Sequence, residues 1–294
     1  SLDEDGGYRV ARSFGPAPAH SGEVAGDPVA ALLERCGGDL AGVLSGAVDP
    51  LDLLFPGGRW DTTRSIYRDT AFGTAFNGVI SDAVAALVSA DEAGPLRVLE
   101  VGAGSGTTTR AVLGAMEGRP LRYTFTDVSP TLVGQAETAF AGTKGMEFRT
   151  LDLEGDPGAQ GFAVGGYDVV VAANVVHATT RVRPSLEHLR TLLAPGGLLI
   201  LLEGTRPEAW VDLTFGLTSG WWRFSDHELR ATYPLLSAED WAEALTNSGF
   251  SEVMALPGDA VEDAGLAQQA GQVVMVARTP LAEGPPAEDR TTST

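Results

Sequence analysis

The chain has 294 residues, 44% of them hydrophobic, which suffices for one α/β-sized core with an additional subdomain. Its 39 acidic and 20 basic side chains give a formal net charge of -19, a field that repels a phosphate backbone and speaks against a nucleic-acid substrate. The single cysteine, Cys36, excludes an internal disulfide or a thiolate-built zinc or iron–sulfur site and reads as a small buried apolar residue.

In chain order, residues 1–27 (GPAPAHSGEVAGD within them) cannot bury an apolar face and are expected to be a linker, as are residues 279–294, TPLAEGPPAEDRTTST. The start SLDEDGG lacks the basic-then-apolar order of a signal peptide. No run of about 18 uncharged apolar residues follows, so a cytoplasmic protein without a membrane span is expected. Linkers at both ends and no start methionine suggest a domain of a longer polypeptide. Residues 28–92 are predicted as a helical N-terminal subdomain. DPVAALLERC opens with Asp27 as cap and Pro28 in the first turn, and FNGVISDAVAALVSA spaces apolar residues three and four apart.

Residues 93–278 alternate strand-like and helix-like runs: LRVLEV, TTRAVLGAM, LRYTFT, PTLVGQAETAF, MEFRTL, YDVVVAAN, RPSLEHLRTLL and GLLILLE. Five strands with crossovers imply a parallel twisted sheet that binds ligands at its carboxyl edge. Residues 204–236, with GWWRF, form an insertion at that edge. SAEDWAEALTNSGF then reads as a helix ended by Gly249, and SEVMAL and QVVMVA as two closing strands. The expected fold is Rossmann-like, with seven mostly parallel strands, an antiparallel last strand and a helical N-terminal lid. An antiparallel edge of this kind is typical of class I S-adenosylmethionine-dependent methyltransferases rather than of dinucleotide dehydrogenases.

The first strand ends in VLEVGAGSG, where Glu100 precedes Gly102, Gly104 and Gly106. Such a loop lets backbone approach a ligand, and alone it would also suit a dinucleotide. Glu100 favours a ligand with a positive α-amino group over a pyrophosphate, so S-adenosylmethionine is the expected donor. Asp127 ends the second strand about 25 residues beyond Gly102, placed to accept both ribose hydroxyls or, alternatively, to cap the helix at Pro130. Asp152 and Leu153 are expected at the adenine, with Asp152 accepting from the exocyclic amine, and Asn174 beside the methionine portion. His177 just past the fourth strand and Glu203 at the end of the fifth are expected to converge, because a buried glutamate needs a partner. That pair suits general-base catalysis, Glu203 orienting the imidazole that removes the acceptor's proton. His20, His188 and His227 are given no role, and no histidine pair has metal-ligand spacing, so no metal is expected.

From about residue 30 to 278 the chain closely resembles the methyltransferase domains of modular type I polyketide synthases. The resemblance is carried by LEVGAGSGTTT, YTFTDVSP, LDLEGDPGAQGF, NVVHATT, LLAPGGLLILLEGT and GLTSGWWRF. It implies a catalytic dyad at His177 and Glu203 and a polyketide thioester held on an acyl carrier protein within a synthase. LAGVLSGAVDPLDLLFPGG, IYRDTAFGTAFN and WVDLTFGLTSGWWRF look like the oxygen-methylating type, implying O-methylation of a β-hydroxyl. The alternatives are α-carbon methylation of a β-ketoacyl intermediate, a free-standing small-molecule methyltransferase, and an inactive scaffolding domain, against which the intact Glu100, Asp127, His177 and Glu203 argue. Tyr67, Asn77, Trp221 and Trp222 are candidates for the acceptor side, core packing being the other reading of the tryptophans. Because carrier proteins are usually acidic too, tethering rather than charge attraction is expected to bring the partners together.

Overall fold

The computed structural model describes residues 26–90, 94–256 and 271–282. Most of the two expected linkers, with His20, therefore lies outside the described residues. Two Asp-Pro steps start the N-terminal helices. Asp27 accepts from the Val29 amide to open α1 (Pro28–Gly38), and after α2 (Leu40–Leu44) Asp49 accepts from the Leu51 amide to open α3 (Pro50–Leu54). These helices and α4 (Asp61–Asp69) enclose a small core of Leu32, Cys36, Leu53, Leu54 and Ile66. The Cys36 thiol is accordingly buried, which raises its pKa.

The following helix, α5 (Ala71–Ala90), is long and apolar enough to cross a membrane by length and composition, although Asp82 interrupts its uncharged run. Its apolar stripe Phe76, Ile80 and Val84 packs instead on Val98, Phe125 and Val171 of the sheet.

The remaining elements alternate as their periodicities predict: β1 (Leu96–Val101), α6 (Thr107–Ala115), β2 (Leu121–Asp127), α7 (Pro130–Ala139), β3 (Met146–Thr150), β4 (Tyr167–Ala173), α8 (Val182–Leu192), β5 (Leu193–Gly204), α9 (Ala209–Asp212), α10 (Ala238–Asn247), β6 (Ser251–Leu256) and β7 (Gln272–Arg278). The strand order is β3-β2-β1-β4-β5-β7-β6. β1 to β5 pair in parallel, and β7 runs antiparallel to both its neighbours. Helices α5, α6 and α7 cover one face and α8 and α10 the other, so the central strands are apolar on both sides. The chain leaves β1 toward β2 and β3 and returns to β4 on the far side of β1. That reversal opens a crevice beyond Val101 and Ala172, where the loops carrying Gly102 and Asn174 meet.

No helix joins β3 to β4. The run LDLEGDPGAQGF forms turns held by the Gln160 amide, which accepts from the Asp152 N–H at 2.9 Å and donates to the Asp152 carbonyl at 2.8 Å.

Candidate active site

The glycine-rich loop owes its residues more to packing than to ligand approach. Gly102 has φ 61°, and a Cβ there would stand 2.4 Å from Val175 Cγ2. Gly106 has φ 71°, and its Cβ would meet Phe140 at 2.8 Å. Gly106 therefore faces α7 and, although expected to contact the cofactor, is not in the lining that Gly102, Ala103, Gly104 and Ser105 give to a cavity of about 320 Å³.

Glu100 also borders this cavity and is fully buried. Its Oε2 accepts from Thr109 at 2.5 Å and Tyr123 at 2.6 Å, two hydroxyls without any sequence signature. Burial nevertheless pushes its pKa up to about 7, the hydroxyls opposing the shift and Asp127 adding to it. Asp127 ties the two loops of the cavity together, accepting from the Gly104 amide at 3.0 Å and the Ser129 amide at 2.8 Å. The cap of α7 is Ser129, not Asp127. Burial raises the Asp127 pKa against these amide bonds.

A second cavity of about 570 Å³ adjoins the first, since Tyr67, Val128, Asn174, Phe215 and Gln272 line both. His177 and Glu203 converge at its wall: Nδ1 and Oε2 are 2.5 Å apart, Glu203 is fully buried, and His177 faces the cavity. An ionised carboxylate only accepts, so Nδ1 carries the proton and Nε2 keeps a free lone pair. The other carboxylate oxygen accepts from the Val175, Val176 and His177 amides at 3.1, 2.7 and 3.4 Å. This nest of amides compensates the buried charge, a role the sequence reading left to His177 alone. The Trp221 ring meets the imidazole edge-on at 5.3 Å.

The turn bearing His177 is fixed from below by Arg230, a buried residue in the 204–236 segment that no motif announced. Its guanidinium pairs with buried Asp226 at 2.7 Å and donates to the carbonyls of His177 at 2.7 Å and Thr179 at 2.9 Å. Asp226 in turn accepts from the Val182 amide at 2.8 Å. The only trace in the sequence is the four-residue spacing of these two opposite charges.

Other expected site residues fall differently. Asp152 lines the second cavity with its carboxylate turned to the Glu154 amide. Leu153, the next residue, points the other way into the core beside α8 and lines neither cavity; its carbonyl accepts from His188. Asn174, at φ 55°, lines both cavities and accepts from Gln272 at 3.4 Å. Tyr67 also lines both, and burial with the nearby Glu203 charge pushes its hydroxyl up to about 12, so it stays a proton donor. Asn77 stands in the first cavity, not on the expected acceptor side, because α5 turns it toward the Tyr67 and Gly73 carbonyls. Trp222 is 46% exposed and outside both cavities, its indole N–H spent on the Gly216 carbonyl. Among the described residues no three metal-ligating side chains converge.

Residues 99–199 match the family model described as a methyltransferase domain. Together with the fold, this makes the chain an S-adenosylmethionine-dependent methyltransferase of class I. It is similar to the solved CurJ carbon methyltransferase, at 40% identity and a TM-score of 0.80, covering 86% of this chain and 67% of that one. The DszA carbon methyltransferase is similar at 34% identity and a TM-score of 0.78, covering 86% and 66%. The non-reducing polyketide synthase esdpA of Penicillium shearii is 39% identical over 231 residues, which are 76% of this chain and 10% of the synthase. The chain thus spans about a tenth of that relative's length, and it belongs to the methyltransferase domains of polyketide synthases. The oxygen-methylating subtype expected from the N-terminal segment finds no support among these relatives, whose solved members are carbon methyltransferases.

Proposed function

We propose that the chain methylates the α-carbon of a β-ketoacyl intermediate carried as a thioester on an acyl carrier protein, with the donor in the first cavity and the acyl group in the second. The observation that carries this reading is the buried His177–Glu203 pair, whose free Nε2 faces a cavity continuous with the one around Glu100 and Asp127. The likeness to carbon methyltransferases favours carbon over oxygen as the atom methylated.

When bound, S-adenosylmethionine supplies an electrophilic sulfonium methyl. In this reading Asp127 accepts from the ribose, Gly102 and Gly104 line the passage of the backbone beside it, and Glu100 balances the α-amino group. His177 Nε2 removes the acidic proton between the two carbonyls, leaving an enolate whose α-carbon would take the methyl in line as the methyl–sulfur bond breaks and S-adenosylhomocysteine leaves. Glu203 stabilises the resulting imidazolium, which returns its proton to solvent. The Tyr67 hydroxyl, kept protonated, donates to the enolate oxygen from the wall shared by the two cavities.

Paired β-ketoacyl and β-hydroxyacyl carrier substrates, incubated with donor and analysed by fragmentation mass spectrometry, test the proposal. The methyl is expected on the α-carbon of the β-keto substrate. Methylation confined to the hydroxyl oxygen would reject it.

A further inference from the structure

Three buried polar atoms without a hydrogen-bond partner stand in the wall of the first cavity: Thr63 Oγ1, Arg64 Nε and Asn77 Oδ1. All belong to α4 and α5, outside the sheet and its loops. A buried polar atom left unpaired bears its full desolvation cost, so three on one wall call for a ligand that completes them. Their chemistry states what that ligand offers. Arg64 Nε donates and carries a permanent positive charge, and the Thr63 hydroxyl donates beside it. The Asn77 amide nitrogen already donates to the Tyr67 carbonyl at 3.1 Å and the Gly73 carbonyl at 2.8 Å, which leaves Oδ1 as an acceptor.

Arg64 is also a cation without an acid, and its Nε has no other partner among the described residues. Arg68 pairs with Asp69, and Arg110 donates to the Gly106 carbonyl and lies over Phe140, whereas Arg64 has no ion pair among the described residues. A ligand end carrying an anion for Arg64 and Thr63 and an N–H for Asn77 is a zwitterionic amino acid, and Glu100 in the same wall adds a carboxylate for its ammonium.

We propose that Arg64 and Thr63 hold the carboxylate, and Asn77 the ammonium, of the donor's amino-acid end, so that bound donor ties α4 and α5 to the sheet. This rests on the assignment of the first cavity to the donor, and it makes the N-terminal helices the elements that distinguish the whole donor from a truncated nucleoside.

Calorimetry on the full chain with S-adenosylhomocysteine and with 5′-methylthioadenosine, which lacks the amino-acid end, tests it. Arg64→Met is expected to weaken S-adenosylhomocysteine by about tenfold to a hundredfold, the size of one or two charge-assisted hydrogen bonds, and to leave methylthioadenosine unchanged. Asp127→Ala should weaken both ligands. In hydrogen exchange, S-adenosylhomocysteine but not methylthioadenosine should slow the amides of α4 and α5. Equal losses for both ligands in Arg64→Met, or none, would overturn the proposal. Should that variant not fold, the wild type decides: equal affinity for S-adenosylhomocysteine and its decarboxylated analogue would overturn it as well. An Asp127→Ala protein that binds both ligands normally would instead remove the donor assignment on which the proposal stands.

Discussion

Two buried glutamates, on β1 and β5 with β4 between them, show how neighbours decide the cost of a carboxylate. Glu203 is met by three backbone amides and an imidazole, Glu100 by two hydroxyls only, and burial pushes Glu100 up from 4.5 to about 7. Its folded pKa being raised, the stability it contributes is present below about 4.5 and is lost as pH rises through about 7. A difference of that size corresponds to about 3 kcal/mol. Glu100→Gln, which keeps both hydroxyl partners, should therefore be the more stable protein in urea unfolding at pH 8 by about 2–3 kcal/mol, an advantage that should vanish at pH 4. The same variant should bind S-adenosylhomocysteine less well at pH 8 if the carboxylate balances the ammonium.

For the dyad, His177→Ala should cut turnover by about 10²–10⁴-fold and abolish donor-independent exchange of the substrate's α-proton into deuterium oxide. Glu203→Gln should be similarly impaired, because an amide that donates to Nδ1 drives the ring proton onto Nε2, where a base is needed. The double variant should lose little more than either single one, since the two residues act as a unit. Wild-type proton exchange in His177→Ala would make the histidine structural.

At the scale of elements, the turn after β4 does the positioning. Its amides face Glu203 and its carbonyls face Arg230, so one short segment is gripped from β5 on one side and from the insertion on the other. Removing one member of a buried pair leaves the other charge uncompensated. Arg230→Met should therefore lower unfolding free energy by about 3–5 kcal/mol, measured by denaturant titration. Because Asp226 and the carbonyls of His177 and Thr179 lose their donor together, a loss below about 1 kcal/mol would mean that the clamp contributes little. α5 illustrates the converse: its composition permits a membrane span, but the stripe at Phe76, Ile80 and Val84 matches the apolar face of the sheet, and packing decides its place.

Over the whole molecule, the formal charge of -19 bears on how the proposed carrier-borne substrate would arrive. If the carrier is acidic as well, the two repel at low salt and only tethering supplies a high local concentration. With the carrier protein supplied in trans, kcat/KM should rise as salt is added and the repulsion is screened, in stopped-flow or single-turnover assays. A steep fall with salt would instead reveal a local attractive patch. The long-range field acts on encounter and leaves the dyad geometry untouched, so single-turnover rates at saturation should change little with salt.

The sequence by itself determined the alternation of strands and helices, the antiparallel close at β7, and the convergence of Glu100, Asp127, His177 and Glu203 at one sheet edge, because period and strand order already fix which ends meet. Tertiary structure alone decided which way neighbouring residues turn: Asp152 toward a cavity and Leu153 into the core, Asn77 into the first cavity, Trp222 out to solvent, and Gly106 against Phe140. It also decided the partners that come from far along the chain, Arg230 beneath His177 and the amide nest around Glu203. Such contacts depend on the relative placement of elements tens of residues apart, set by the packing of whole faces, and local periodicity carries no record of it.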